Sequence, residues 1–367
     1  MTSKELKENI AQMIMVGFKE AALAEGSPIL QAIKNYSLGG VILYNIDLKC
    51  YLAEQEKKPD LTRKEAALIC PKNIISSDQL RALTSGLQKD SRVPLLIAVD
   101  QEGGIVTRLG PAAGFHEAPS PKSLGERDDP AATAQAAEAM AEDLRRSGIN
   151  FNLAPVVDLD LNPEGLISRN GRSFGSDPKL VYRHAKAFIL AHRQQGILTC
   201  LKHFPGKGSA GQDTHFEVAD VTPLYQPQEI HPFSWLIEEG FTDTVMTSHI
   251  HHLGWDKKFP LTLSPKIQRL LLREKIGYQG VIISDDLQMG AIVKRFSLEE
   301  ACVLAVQAGV DILLASNNSP EGDDPDLFPR MFEALIRGVE KKRISKSMIE
   351  TSLARIMELK KRILMAS

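Results

Sequence analysis

Five apolar runs in this chain end in side chains that can do chemistry: Asp100, Asp158 with Asp160, Lys202-His203, Ser248-His249 and Asp285-Asp286. Burying charge costs free energy unless the group is paired or used, so charges repeated at strand ends point to one polar pocket. Asp285 has the first claim to direct chemistry. In VIISDDLQM the strand period of two puts Val281, Ile283 and Asp285 on one face and Ile282, Ser284 and Asp286 on the other, so only one of the two aspartates can face a common mouth. Asp286 is expected to be solvated or to cap the next helix. A second concentration lies in LKHFPGKGSAGQDTHFEVADV, residues 201–221, where three glycines (Gly206, Gly208, Gly211) precede Asp213 and His215. A carboxylate beside an imidazole fixes its tautomer and raises its pKa, as suits a general acid/base, and glycines give such a loop unusual dihedrals and freedom to move. Three look-alikes are set aside. The run at Gly206-Lys207-Gly208-Ser209 lacks the spacing of a phosphate loop, and 100–110 has no G-x-G-x-x-G. His249, His251 and His252 point in different directions on a strand and have no companion carboxylate motif, so no metal site is read.

The elements that must position these groups alternate along the chain. Strands are expected at 13–18, 40–44, 95–100, 149–158, 197–203, 244–249, 281–286 and 310–315, continuous apolar runs of the kind found in parallel sheets covered on both faces. The helices between them carry start signals at Asp129-Pro130, Asp177-Pro178, Ser264-Pro265 and Ser297 with Glu300, and Gly148 and Gly196 stand after the ends of the first two. Leu80, Leu83 and Leu87 form a helical core stripe. Eight strands each followed by helix predict an α/β fold, a single-domain (β/α)8 TIM barrel over 1–367, whose active-site face is at the C-terminal ends of the strands; a doubly wound open sheet is the alternative, since periodicity does not show closure. Two stretches break the rhythm. Residues 45–72 are polar and long, read as a loop excursion or short helical insertion, and two helical segments follow the last strand from Asp324 onward with no second domain.

The 367 residues carry 44 Lys and Arg against 46 Asp and Glu, a net charge of −2 without a basic block, which argues against nucleic-acid binding. No apolar run reaches the roughly 18 residues of a membrane span, and the charged N-terminus makes the cytoplasm the default location. Cys50, Cys70, Cys200 and Cys302 form no C-x-x-C pair and are expected as buried or incidental thiols. Cys50 and Cys70 bracket the odd segment, but a disulfide is not expected in a cytoplasmic protein.

Together the motifs resemble the β-N-acetylglucosaminidase branch of glycoside hydrolase family 3. The matching pieces run in order over nearly the whole chain: IAQMIMVGF, LGGVILY, AVDQEGGIVTRL, FNLAPVVDLD, RSFGSDP, KHFPGKGSAGQDTH, VMTSHI, LTLS and GVIISDDLQMGAI. The resemblance implies a TIM barrel and a retaining mechanism through a covalent glycosyl-enzyme intermediate. It makes Asp285 the nucleophile and His215 the acid/base with Asp213 as its orienting partner, and it assigns sugar binding to Asp100, Arg108, Arg172, Lys202 and His203. Lys207 departs from the pattern, standing where the family often has a second histidine, and the 45–72 insertion is expected to narrow or extend the aglycone side. The implied activity is exo-hydrolysis of terminal β-linked GlcNAc, with a small carbohydrate substrate from peptidoglycan recycling and no cofactor. The competing readings are an N-acetylglucosaminide phosphorylase and a non-catalytic sugar-binding barrel; a β-glucosidase of the same family usually draws its acid from a second domain, which is not expected here.

Overall fold

Eight short strands are the frame, and each is fully buried: β1 Ile14–Val16, β2 Gly40–Ile42, β3 Leu96–Val99, β4 Phe151–Asn152, β5 Leu198–Phe204, β6 Thr244–Thr247, β7 Val281–Ile283 and β8 Leu313–Ala315. The computed structural model describes residues 2–211 and 219–366. All pairings are parallel, in the order β7-β6-β5-β4-β3-β2-β1-β8. A parallel bridge from Ile283 to Ile312 closes the ring, with the Ser284 N–H donating to the Ile312 carbonyl at 2.9 Å. The expected (β/α)8 barrel is therefore the fold, with one apolar core shared by strands and surrounding helices.

The strands are shorter than the apolar runs because the ends of those runs leave the ladder and become the rim. The run 149–158 ladders only over Phe151–Asn152, since Pro155 has no N–H to give, and resumes as a single bridge from Val156 to Lys202. Helix starts follow the sequence signals at Asp129, which accepts from the N–H groups of Ala131 and Ala132, and at Asp177, which accepts from Lys179. Two differ. Ser264 does not cap the following helix, a wide-turned π segment Lys266–Lys275, because its hydroxyl donates to Asp256 at 2.7 Å. Ser297 accepts from the Glu300 N–H, but the Glu300 carboxylate is taken by Arg343 in a bidentate pair at 2.6 and 2.7 Å.

Residues 45–72 form two helices, Leu48–Lys57 and Arg63–Ile69, with a small core of their own from Ile46, Leu61, Ala66 and Cys70. The expectation of free thiols fails here. The two helices fold back so that Cys50 and Cys70 approach to 5.6 Å between Cα atoms and form a disulfide. Cys200 and Cys302 are buried free thiols as expected. Lys72 anchors the insertion to the loop after β8, its ammonium bonding the Asn317 carbonyl at 2.8 Å and Asp323 at 2.5 Å. Asn318 reinforces that anchor, accepting from the Leu48 N–H and donating to the Ile46 carbonyl. The final helices are Leu327–Glu340 and Lys346–Ala366, and the second packs on the first helix of the chain, Ser3–Gln12. No helix among the described residues is long and apolar enough to cross a membrane.

Candidate active site

At the C-terminal rim, the strand ends bring their charges together in two groups. The first is an ion network. Lys202, at the end of β5 and only 2% exposed in its side chain, donates to Asp100 at 2.7 Å and to Glu102 at 2.7 Å. Arg172 grips Glu102 with two parallel bonds, Nε to Oε2 at 2.8 Å and Nη2 to Oε1 at 2.7 Å. Arg108 reaches Asp100 at 3.6 Å and lies over the Tyr44 ring, 5.4 Å from its centre. Burial would raise the Glu102 pKa, but the Arg172 and Lys202 charges outweigh it and hold the carboxyl well below the usual range. Three cations face two carboxylates here, leaving one unit of positive charge to meet hydroxyl oxygens.

The second group surrounds Asp285. Its carboxylate accepts one hydrogen bond, from the Asp286 N–H at 2.9 Å, and makes no ion pair within 4 Å among the described residues. Burial opposes its ionisation, but His249, His203, Lys207 and the Asp286 N–H together hold its pKa far below that of a free carboxyl. Burial also drives the two imidazoles toward their neutral forms. His203 is fixed by Asp158, whose carboxylate bonds Nδ1 at 2.7 Å and accepts the His203 and Lys207 N–H groups at 3.1 and 2.9 Å. His249 is held at both nitrogens, by the Thr262 hydroxyl and the Asp286 carbonyl, each at 2.8 Å, which gives it a positioning role rather than that of a metal ligand. Asp286 turns away and accepts from the Gln288 and Ser316 N–H groups at 3.0 Å, tying the loops after β7 and β8 rather than capping a helix. Burial raises its pKa. Among the described residues no cluster of three or more His, Cys, Asp or Glu could hold a metal ion.

The structure thus gathers Asp100, Arg108, Lys202 and Arg172 in one network, with His203 next in sequence to Lys202, bonded to Asp158 and acting on the charge of Asp285. Asp213 and His215 lie outside the described residues. Of the three glycines before them, Gly206 has a positive φ of 125°, whereas Gly208 is required by close approach, since a Cβ there would sit 1.9 Å from the Leu159 carbonyl oxygen. Sequence reasoning passed over Glu102 and Tyr44 as site residues, and it placed Asp158 at a strand end without giving it a role. Glu102 shares a face with Asp100 by the period of two, and Tyr44 ends the apolar run 40–44, so the strand-end rule applied to that run and carried two residues past Asp100 would have found both. Tyr44 is half-buried near Asp100, Asp286 and Asp285, and desolvation followed by those negative charges keeps its phenol protonated. A cavity of about 510 Å³ at the opposite, N-terminal end of β5 is lined by Arg145, Arg193 and Arg362, but these already bond Gln195 and Asp243 and face no reacting group.

Comparison with known proteins agrees with this geometry. The family model described as the glycosyl hydrolase family 3 N terminal domain matches residues 5–359. Beta-hexosaminidase A of Pseudoalteromonas piscicida is 31% identical over 318 residues, which are 81% of this chain and 53% of that protein. Among solved structures, a family 3 β-N-acetylglucosaminidase from Paenibacillus sp. str. FPU-7 superposes with a TM-score of 0.85 at 30% identity, covering 100% of this chain and 64% of the other. The β-N-acetylhexosaminidase of Beutenbergia cavernae DSM 12333 gives 0.80 at 28%, covering 97% and 98%. The chain spans about half the length of the first of these relatives and nearly all of the last.

Proposed function

The chain belongs to glycosyl hydrolase family 3, and from that premise we propose that it is a retaining exo-β-N-acetylglucosaminidase. The observation that carries the reading is Asp285: a half-buried carboxylate kept ionised, offered one backbone N–H and no ion pair among the described residues, beside a network with spare positive charge. A carboxylate saturated with donors is a structural anion; one left nearly bare is a nucleophile. In the first step an Asp285 oxygen attacks C1, the bond from C1 to the leaving oxygen breaks, and that oxygen takes a proton from the imidazolium of His215, oriented by Asp213. In the second, water attacks C1, gives its proton to the imidazole, and the C1–Asp285 ester bond breaks. Asp100, Arg108, Arg172, Lys202 and His203 bind the sugar hydroxyls, in which role the ion network pre-orders them.

The substrate class is GlcNAc-ended glycosides, which the names of the relatives support; peptidoglycan fragments are the members of that class that the resemblance implies. A cytoplasmic recycling role goes with reduced thiols. The Cys50–Cys70 bridge instead supports work in an oxidising compartment, and alkylation of the native protein followed by mass measurement reads which state holds.

The direct test is release of p-nitrophenol from the β-N-acetylglucosaminide by wild type, Asp285→Ala and His215→Ala, with the β-glucoside as control and with and without phosphate. Hydrolysis of the first glycoside alone is expected, abolished by Asp285→Ala and cut roughly 10²–10⁴-fold by His215→Ala. Product with the β configuration at C1 supports retention. Dependence on phosphate would replace hydrolysis by phosphorolysis, and binding without turnover by wild type would leave a sugar-binding barrel.

A further inference from the structure

Beside the ion network a groove of about 890 Å³ opens between the inserted helix Arg63–Ile69 and the loop that follows β3. Single apolar side chains on a surface need no explanation, but here three from separate segments are left in water on one lining: Leu68 at 66% exposed, Ile75 at 50% and Ile105 at 46%. The same lining carries Arg63, Lys64 and Arg108 against the single acid Glu117. The exposed guanidinium of Arg63 makes no hydrogen bond or ion pair among the described residues.

The groove meets the site at Arg108, whose partners are Asp100 at the end of β3 and Tyr44 after β2. Asp285 follows β7, and the groups that set its charge come from the β5 and β6 ends. With C1 at Asp285, a β-linked leaving group departs along the long axis of the ring, away from C4. Asp100 and Arg108 are the pair assigned above to the sugar hydroxyls, so what reaches Arg108 is the hydroxyl-bearing end of the ring rather than the leaving group. We propose that the groove binds a carboxylate-bearing, part-apolar substituent carried on the sugar at the end remote from the scissile bond, and that Arg63 selects it. The inference rests on Asp285 as the nucleophile, and it moves the 45–72 insertion from the leaving-group side to the opposite end of the substrate.

Four chromogenic N-acetyl-β-glucosaminides test this. Three share the p-nitrophenyl leaving group and carry at O6 nothing, a butanoyl ester or a hemisuccinyl ester; the fourth is unsubstituted at O6 and has a carboxylate on its leaving group. A charge-assisted bond to Arg63 should favour the hemisuccinyl over the butanoyl compound by about 10-fold or more in kcat/KM, chiefly through KM. Arg63→Ala should erase that ratio, Arg63→Lys should retain part of it, and all three proteins should turn over the unsubstituted glycoside alike. Melting curves confirm that the variants, changed at an exposed position, are folded. A wild-type ratio near one, a ratio that survives Arg63→Ala, or an Arg63-dependent preference for the carboxylate on the leaving group overturns the proposal while the activity stands. No turnover of the unsubstituted glycoside by wild type overturns the activity and the groove assignment together.

Discussion

Replacing Glu102 by Gln keeps the shape of the side chain and removes one charge from the middle of the ion network. Oε1 of Glu102 accepts from Lys202 Nζ and Arg172 Nη2, both at 2.7 Å, and Oε2 accepts from Arg172 Nε at 2.8 Å. An amide oxygen can take over the first two bonds, but its NH₂ then faces the Arg172 Nε–H, donor against donor. The charge excess rises from three cations over two carboxylates to three over one. Water cannot make up the loss, since the Glu102 side chain is 0% exposed and that of Lys202 2%. Removing one partner of such a buried pair costs about 3–5 kcal/mol. The sign with pH follows from the depressed pKa of Glu102 in the folded protein. Its contribution is fully present above the unfolded value of about 4.3 and is lost as pH falls through the folded value, so wild type and Glu102→Gln should converge on acidification. Denaturant unfolding at pH 7 and down an acid series measures both. The same variant should raise KM more than it lowers kcat, because Arg172 and Lys202 lose their anchor while Asp285 is untouched. A stability loss below about 1 kcal/mol at pH 7, or a gap that does not shrink in acid, would show that the network is not held by this carboxylate.

Two further outcomes follow from groups outside the reacting centre. The bridge joins cysteines 20 positions apart, which in the chain-entropy model is worth about 3 kcal/mol. Because residues 45–72 have their own small core, Cys50→Ser should show as faster amide exchange over 48–69 with little change in the main unfolding transition; unchanged exchange would mean that the packing, not the bridge, holds the insertion. Lys360 is buried with its ammonium on Gln12 Oε1 at 2.7 Å and the Gly39 carbonyl at 2.8 Å, and burial pushes its pKa down to about 7. The unfolded chain keeps that proton up to about pH 10.4, so wild type should gain stability as pH rises from 7 toward 10, and Lys360→Met should lose that slope. Denaturant midpoints at pH 7 and 9.5 decide it, and parallel slopes would refute it.

The barrel was legible because a strand covered on both faces must be apolar throughout, and eight such runs with capped helices between them leave few folds. What lay beyond the ladder was less legible. The run at 149–158 says nothing of how Pro155 cuts β4 to two residues, and the spacing of Cys50 and Cys70 says nothing of the helix pair that brings them together. The insertion could be placed after β2 from its polarity. Which neighbour it leans on is decided by contacts far away in sequence, Lys72 to Asp323 and Leu48 to Asn318.

Charge at the end of an apolar strand announces a pocket, but it does not separate the group that reacts from the groups that hold. Asp285 and Glu102 both sit at such ends, and both have their pKa held far down against burial. They differ in what surrounds them. Glu102 accepts three short bonds from two cations, so its electron pairs are spent on the protein and it can only position others. Among the described residues Asp285 accepts a single backbone N–H, and its pKa is set low from a distance by His249, His203 and Lys207. A group stabilised by field rather than by contact keeps its lone pairs for a substrate. That difference is a matter of how many donors the fold brings within reach, which a sequence of strand ends does not record and the closed barrel does.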